Sequence, residues 1–353
     1  MPDLLQRLLA EKDVLLADGA TGTNLFALGL QTGEPPELWN VDHPDRVRTH
    51  YQSFVDAGSD IILTNSFGGT RHRLKLHGSQ DGVAELNETA ARLAREVVDA
   101  ADRPVVVGGS MGPTGELFEP LGALTHADAR DAFAEQAQAL ARGGVDVLWI
   151  ETLSSQQEVD AAIEGAESAG LPVVCTVSFD TNGRTMMGVT PHGFADHCAH
   201  GAQHPVAFGS NCGTGAAELV AAILNMRTAA DTESVLVAKA NCGIPEWRDG
   251  ELTYNGTPEL MAEYAVLARD AGARVVGGCC GTTPDHVRAM RRALDSQPRG
   301  GVPELDTIAA RLGDVTSGAR AQYGGDLDPL AGASGHGHGQ GRGGRRRRSG
   351  TEG

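Results

Sequence analysis

The chain has 353 residues, of which 41% are hydrophobic and 21% charged, a balance that suits a soluble globular protein with a full core. Its formal net charge is −17, and because Gly341–Gly353 carries five Arg against one Glu, the acid excess falls on the rest. A body that acidic lacks the basic footprint nucleic acid needs and does not attract anionic lipid. No run approaches the ~18 apolar residues that span a bilayer. The opening MPDLLQRLLAEKDVLL mixes acids into its apolar positions and does not make a signal peptide. Six cysteines without an export signal imply reduced thiols and a cytoplasmic protein.

Taken in chain order, short β-branched runs alternate with helical patterns. Val14–Ala20 and Asp60–Phe67 read as strands, followed by a helix over Glu85–Ala101 with Leu86, Ala90, Leu93, Val97 and Val98 on one face. Pro104–Ser110 is the third strand, Ala127–Arg142 the next helix, and Val145–Glu151 the fourth strand. Pro172–Phe179, Ala207–Cys212, Val235–Asn241 and Arg274–Cys280 complete eight. These runs lack polar alternation, as strands buried on both faces do. Eight strand–helix repeats predict a (β/α)8 TIM barrel over residues 1–295, with the last barrel helix after Pro284. Residues 296–353 form a C-terminal extension with a short helix near Leu305–Leu312. The Gly/His/Arg-rich stretch from about 331 is too poor in apolar residues to order itself.

In a barrel, chemistry sits where strands end. Asp18 follows the first strand, Thr64-Asn65-Ser66 end the second, Glu151 closes the fourth, and Asn211-Cys212 closes the sixth. Asn241-Cys242 ends the seventh and Cys279-Cys280 the eighth, the latter between Gly277-Gly278 and Gly281. Adjacent strand residues point to opposite faces, so Cys279 and Cys280 share a metal only if the chain leaves β geometry there, which glycines permit. A third thiol from Cys212 would complete a three-ligand site with an open position, the pattern of a catalytic zinc; Cys242, also at a strand end, competes for that place. Cys175, within a strand, reads as a small buried hydrophobe. A second grouping, His192, His197, Cys198, His200 and His204, falls on an amphipathic helix and loop whose histidines are expected to face solvent. Gly108–Glu116 lacks the dinucleotide fingerprint and reads as a loop at the barrel rim.

Three thiolates leave zinc a poor activator of water but a good binder of an incoming thiol, which favours alkyl transfer to sulfur over hydrolysis. Asp18 and Glu151 would hold an ammonium group, while DGATGTN (Asp18–Asn24) supplies backbone N–H groups for a carboxylate. A thiol bearing both is an amino acid such as homocysteine. A TIM-barrel metal hydrolase is disfavoured by the thiolate count; a non-catalytic homocysteine-binding subunit is the other alternative.

The segments DGATGTNL, DIILTNSFGGTR, GGSMGPTGE, IETLSS, GSNCGTG and GGCCGTTPDHVRAM resemble the homocysteine S-methyltransferase family in order and spacing, over roughly residues 10–294. The resemblance implies one catalytic zinc on Cys212, Cys279 and Cys280, leaving Cys242 outside. It also implies homocysteine contacts at Asp18, Gly19, Ala20, Glu151 and Asn211. Its members draw methyl groups from betaine, S-methylmethionine or methylcobalamin. Betaine favours an aromatic cage, whereas here Phe67 is followed by Gly68-Gly69 and Trp39 is the other candidate aromatic. TNSFGGTR, GPTGELFEPLG and FDTNGRTMMG are similar to the homocysteine module of cobalamin-dependent methionine synthase. That similarity implies methylcobalamin on a separate corrinoid protein as donor, with betaine as the other source.

Overall fold

The computed structural model describes residues 3–243, 245–248 and 251–326. Its strands are β1 (Leu15–Leu16), β2 (Ile61–Leu63), β3 (Val106–Met111), β4 (Val147–Leu153) and β5 (Val173–Val177). They continue as β6 (Ala207–Cys212), β7 (Leu236–Ala240), β8 (Pro245–Arg248), β9 (Glu251–Tyr254) and β10 (Ala273–Gly278). Eight of them form one parallel sheet in the order β1–β10–β7–β6–β5–β4–β3–β2. A parallel bridge between Ala17 and Ile61 joins its two edges and closes the barrel. The eight expected strands are all present, and the (β/α)8 TIM barrel is the fold. The antiparallel hairpin β8–β9, inserted after β7, was not anticipated.

Side-chain alternation sorts the strands into two layers. Leu15, Ala17, Ile61, Leu63, Val106, Val147, Trp149, Val174, Val237 and Val275 pack together inside the barrel. Their neighbours Leu16, Ile62, Val107, Leu148, Ile150, Val173 and Val276 pack outward against the helices. This is the period of two expected of a pleated strand in a closed barrel. The helix Leu4–Glu11 seats Leu5 and Leu8 in the inner cluster and plugs the amino end.

The same parity decides which polar side chains reach the carboxyl end of the interior. Counting by twos from the inner apolar residues reaches Ser110 on β3, Glu151 on β4, Thr176 on β5, Asn211 on β6 and Lys239 on β7. All five are buried. The outer helices are capped by hydroxyls, as at Thr125, which accepts from the Asp128 N–H ahead of the helix His126–Gly143.

After the last barrel helix, Pro284–Ser296, the chain folds back as two short helices, Leu305–Leu312 and Ser317–Tyr323. Leu305, Ile308, Leu312, Val315 and Ala319 join the outer core. Polar ties hold the segment: Arg269, itself buried, donates to the carbonyls of Gln297 at 2.6 Å and Pro298 at 2.8 Å. Glu218 accepts from the Thr316 N–H at 3.0 Å and its hydroxyl at 2.6 Å. The stretch expected to be disordered from about 331 lies outside the described residues.

Candidate active site

A cavity of about 580 Å³ opens at the carboxyl end of the barrel. Its inner wall carries Gly19, Ala20, Ser110, Glu151, Lys239, Cys212, Cys279 and Cys280, and its outer part Phe26, Glu37, Phe67, Arg73 and Leu74.

The Sγ atoms of Cys212, Cys279 and Cys280 all lie within 4.8 Å of one another, close enough to share a metal ion. Among the described residues no other cluster of metal-ligating side chains comes together this way. The local chain makes this possible at two places. β10 ends at Gly278, so Cys279 and Cys280 stand in a turn, closed by the Thr282 N–H on the Cys279 carbonyl at 3.1 Å and by Gly281 at φ 77°. Cys212 adopts φ 63°, a left-handed conformation uncommon for a side chain with a Cβ. That twist interrupts the alternation that would otherwise point Cys212 outward beside inward Asn211. Hydrogen bonding to Cys212, opposed by that to Cys280, and burial push the Cys279 thiol up.

Cys242 is buried outside the cluster, its thiol donating to the Gly256 carbonyl at 3.3 Å. Cys175 is a core residue of β5. The histidine-rich helix, Pro191–His200, spreads its side chains: His192 pairs with Thr228, His197 with Asp160, and His200 with Asp196, while Cys198 is buried.

Glu151 stands across the barrel from the end of β10 that carries Cys279 and Cys280, whereas Asp18 follows β1, the neighbour of β10. Glu151 Oε1 accepts from the Ser110 hydroxyl at 2.5 Å. The backbone of the same serine is tied to the end of β2, its N–H donating to Thr64 Oγ1 at 2.9 Å, where the Thr64 and Ser66 hydroxyls meet at 2.6 Å. Asp18 lies deeper and is not part of the cavity wall. Its Oδ2 accepts from the Leu63 N–H at 2.7 Å, and its Oδ1 from Lys239 Nζ at 2.7 Å. Burial pushes both carboxyls up, against the pull of Lys239, whose charge favours their ionised forms.

Lys239 is a charged residue of the cavity wall that the motif reading passes over. It is 1% exposed, and Nζ reaches across the barrel from β7 to Asp18, 5.7 Å from the centre of the Trp149 ring. Burial alone would lower its pKa, but the charges of Asp18 and Glu151 outweigh it and hold the ammonium protonated. The available signal was a lone lysine inside the apolar run LVAKA at an inward-parity position.

The remaining expected contacts divide. Gly19 is confined, since a Cβ there would lie 2.5 Å from the Thr282 carbonyl oxygen. The Ala20 N–H is engaged by that same carbonyl at 3.2 Å. Asn211 does not line the cavity; its amide is bonded to Thr152, Thr176 and Cys279. Gly108–Glu116 runs along β3 into a rim loop, where Glu158 Oε1 accepts from the Thr114 N–H at 2.8 Å.

Residues 15–294 match the family described as homocysteine S-methyltransferase. The methionine synthase of Mycobacterium tuberculosis is 32% identical over 301 residues, covering 80% of this chain and 24% of that protein. The methionine synthase of Mycobacterium leprae is 31% identical over 320 residues, 85% of this chain and 26% of its own length. The chain therefore spans about a quarter of these relatives. Among solved structures, the metallated form of the homocysteine methyltransferase MmuM from Escherichia coli superposes with a TM-score of 0.67 at 25% identity, covering 82% of this chain and 99% of that one. With its barrel, its three clustered thiols and a match across most of its length, the chain belongs to the homocysteine S-methyltransferase family, a family of methyltransferase enzymes.

Proposed function

We propose that this chain is a zinc-dependent methyltransferase that converts homocysteine to methionine, with methylcobalamin on a separate corrinoid protein, or betaine, as methyl donor. One observation carries the reading: three thiols gathered on the wall of a cavity that Glu151 and Lys239 also line. Zinc–thiolate bonds of about 2.3 Å in a tetrahedral array space the sulfurs roughly 3.8 Å apart, a spacing these three can meet with small side-chain adjustments. Held by Cys212, Cys279 and Cys280, zinc would lower the proton affinity of a substrate thiol and leave its sulfur electron-rich.

The chain's own residues orient the amino acid. Glu151 presents a carboxylate to the substrate ammonium, and Asp18 reinforces it from behind through Lys239. Gly19 and Ala20 shape the wall beside them, and Asn211 fixes the end of β6. In the transfer, a sulfur lone pair forms the new S–CH3 bond while the donor's bond to that carbon breaks with its electron pair. The thiol proton is lost to solvent. Resemblance to the homocysteine module of cobalamin-dependent methionine synthase supports a corrinoid-bound methyl group. Against a betaine cage, Trp39 is 4% exposed and its face is covered by Arg46 at 5.0 Å. A cytoplasmic location is consistent with six free cysteines, and no described helix is long and apolar enough to cross a membrane.

The test is to assay the purified chain with homocysteine and betaine, S-methylmethionine or free methylcobalamin, following methionine and bound zinc. We expect about one zinc per chain and turnover with the cobalamin donor. In Cys212→Ser and Cys279→Ala, metal and activity should fall together, by 100-fold or more in rate. Full activity in a zinc-depleted variant would refute the mechanism, and turnover with betaine alone would refute the donor preference.

A further inference from the structure

Asn211, at the inward end of β6, uses the whole hydrogen-bonding capacity of its carboxamide. Oδ1 accepts from the Thr152 N–H at 2.8 Å and the Thr176 hydroxyl at 2.7 Å. Nδ2 donates to Thr152 Oγ1 at 2.7 Å and to Cys279 Sγ at 3.8 Å. Two acceptor positions and two donor hydrogens are all that such a group has.

Its orientation follows from chemistry rather than from fitting. A backbone N–H can only donate, so the amide oxygen has to face Thr152, and the nitrogen is thereby turned toward the sulfur. A flipped amide would set Nδ2 against the Thr152 N–H. Thr152 is itself unusual, with φ 66°, and it directly follows Glu151. Asn211 holds both its N–H and its hydroxyl. One buried side chain therefore ties the strand end that carries Glu151 to a cysteine of the cluster 68 residues from it in sequence.

We propose that Asn211 is a positioning residue for the three-cysteine centre, its Nδ2–H orienting Cys279 Sγ and withdrawing electron density from it when a metal is bound. This goes beyond the substrate contact that the family resemblance implies, and it rests on the metal-dependent reading given above. A donor aimed at a thiolate makes a charge-assisted bond, which lowers the energy of the sulfur lone pairs and limits what they give to a metal. It also fixes which rotamer Cys279 presents, so that the cluster is arranged before the ion arrives.

Cobalt(II) loaded in place of zinc gives a sulfur-to-metal charge-transfer band that reads this bond without any assay of turnover. Asn211→Asp keeps the acceptor toward Thr152 and Thr176 but turns a lone pair toward Cys279. We expect its band at longer wavelength, because the sulfur lone pairs rise in energy once the donor is lost. Thr152→Val removes the acceptor that steers Nδ2 while leaving β6 intact, and should shift the band the same way by less. It serves also if Asn211→Asp fails to fold. Thr176→Val, which loosens Oδ1 and spares the donor, should leave the band in place. Bands at the wild-type wavelength in both Asn211→Asp and Thr152→Val overturn the inference alone. A wild-type chain that takes up no metal overturns the metal reading, and this inference with it.

Discussion

Lys239 sets the charge of the inner cavity. Asp18 and Glu151 are both buried and their charges repel, so burial and the Asp18 charge raise the Glu151 pKa while Lys239 opposes them. The Lys239 ammonium lies 2.7 Å from Asp18. On the proposed reading Glu151 holds a substrate ammonium and has to be ionised to do so, so binding is present above its pKa and lost as pH falls through it. Burial raises that pKa and Lys239 lowers it. Lys239→Met should therefore move the acid limb of kcat/KM for homocysteine to higher pH, by about 1–3 units, with Asp18 and Glu151 titrating as a pair. A pH–rate profile checks this, and an unmoved acid limb would show that Lys239 is only packing. Asp18, Glu151 and the cysteines were legible because an apolar strand that ends in an acid or a thiol stands out. Lys239 lies within a strand, where only its inward parity distinguishes it.

At the scale of elements, strand alternation does most of the work. It places Ser110, Glu151, Thr176, Asn211 and Lys239 inside without any special device, and the chain departs from it where the cysteines converge and at Thr152, just after Glu151. The contact between β6 and β7 is especially tight. A Cβ on Gly209 would sit 2.0 Å from the Val237 carbonyl oxygen of the neighbouring strand. Because backbone cannot swing aside as a side chain can, Gly209→Ala should cost about 1–3 kcal/mol or more. Gly301→Ala, with nothing within 4 Å of the added carbon, should change stability little. Urea denaturation of the two variants measures the difference, and equal midpoints would contradict the packing argument. The hairpin β8–β9 escaped sequence reading because each strand is only four residues long and it interrupts the strand–helix alternation that the rest of the chain follows.

For the whole molecule, the family match ends at residue 294, yet the core does not. Leu305, Ile308, Leu312 and Val315 are buried in the same cluster as the barrel helices. Each side chain of that size contributes roughly 1.5–3 kcal/mol when fully buried. Removing them together is comparable with the ~5–15 kcal/mol total stability of an ordinary domain. A chain cut after Ser296 should therefore melt far lower than the full chain, or fail to unfold cooperatively, in a calorimetric scan. Identical melting curves would show that the returning helices are accessory.

Periodicity and composition, both local properties, were enough to foresee the order of strands and helices, the barrel, and the strand ends where chemistry collects. They also marked Leu305–Leu312 as a helix, though not what it packs against. Strand-end position left Cys212 and Cys242 level and the family resemblance favoured Cys212; the tertiary structure supplies the physical reason, a left-handed turn at Cys212 and contacts between strands far apart in sequence. Only tertiary structure shows the Lys239–Asp18 pair, separated by 221 residues, and the amide that links Thr152 to Cys279. A sequence pattern records which face of a strand a residue occupies. Closing the barrel decides which residues from different strands meet across its mouth.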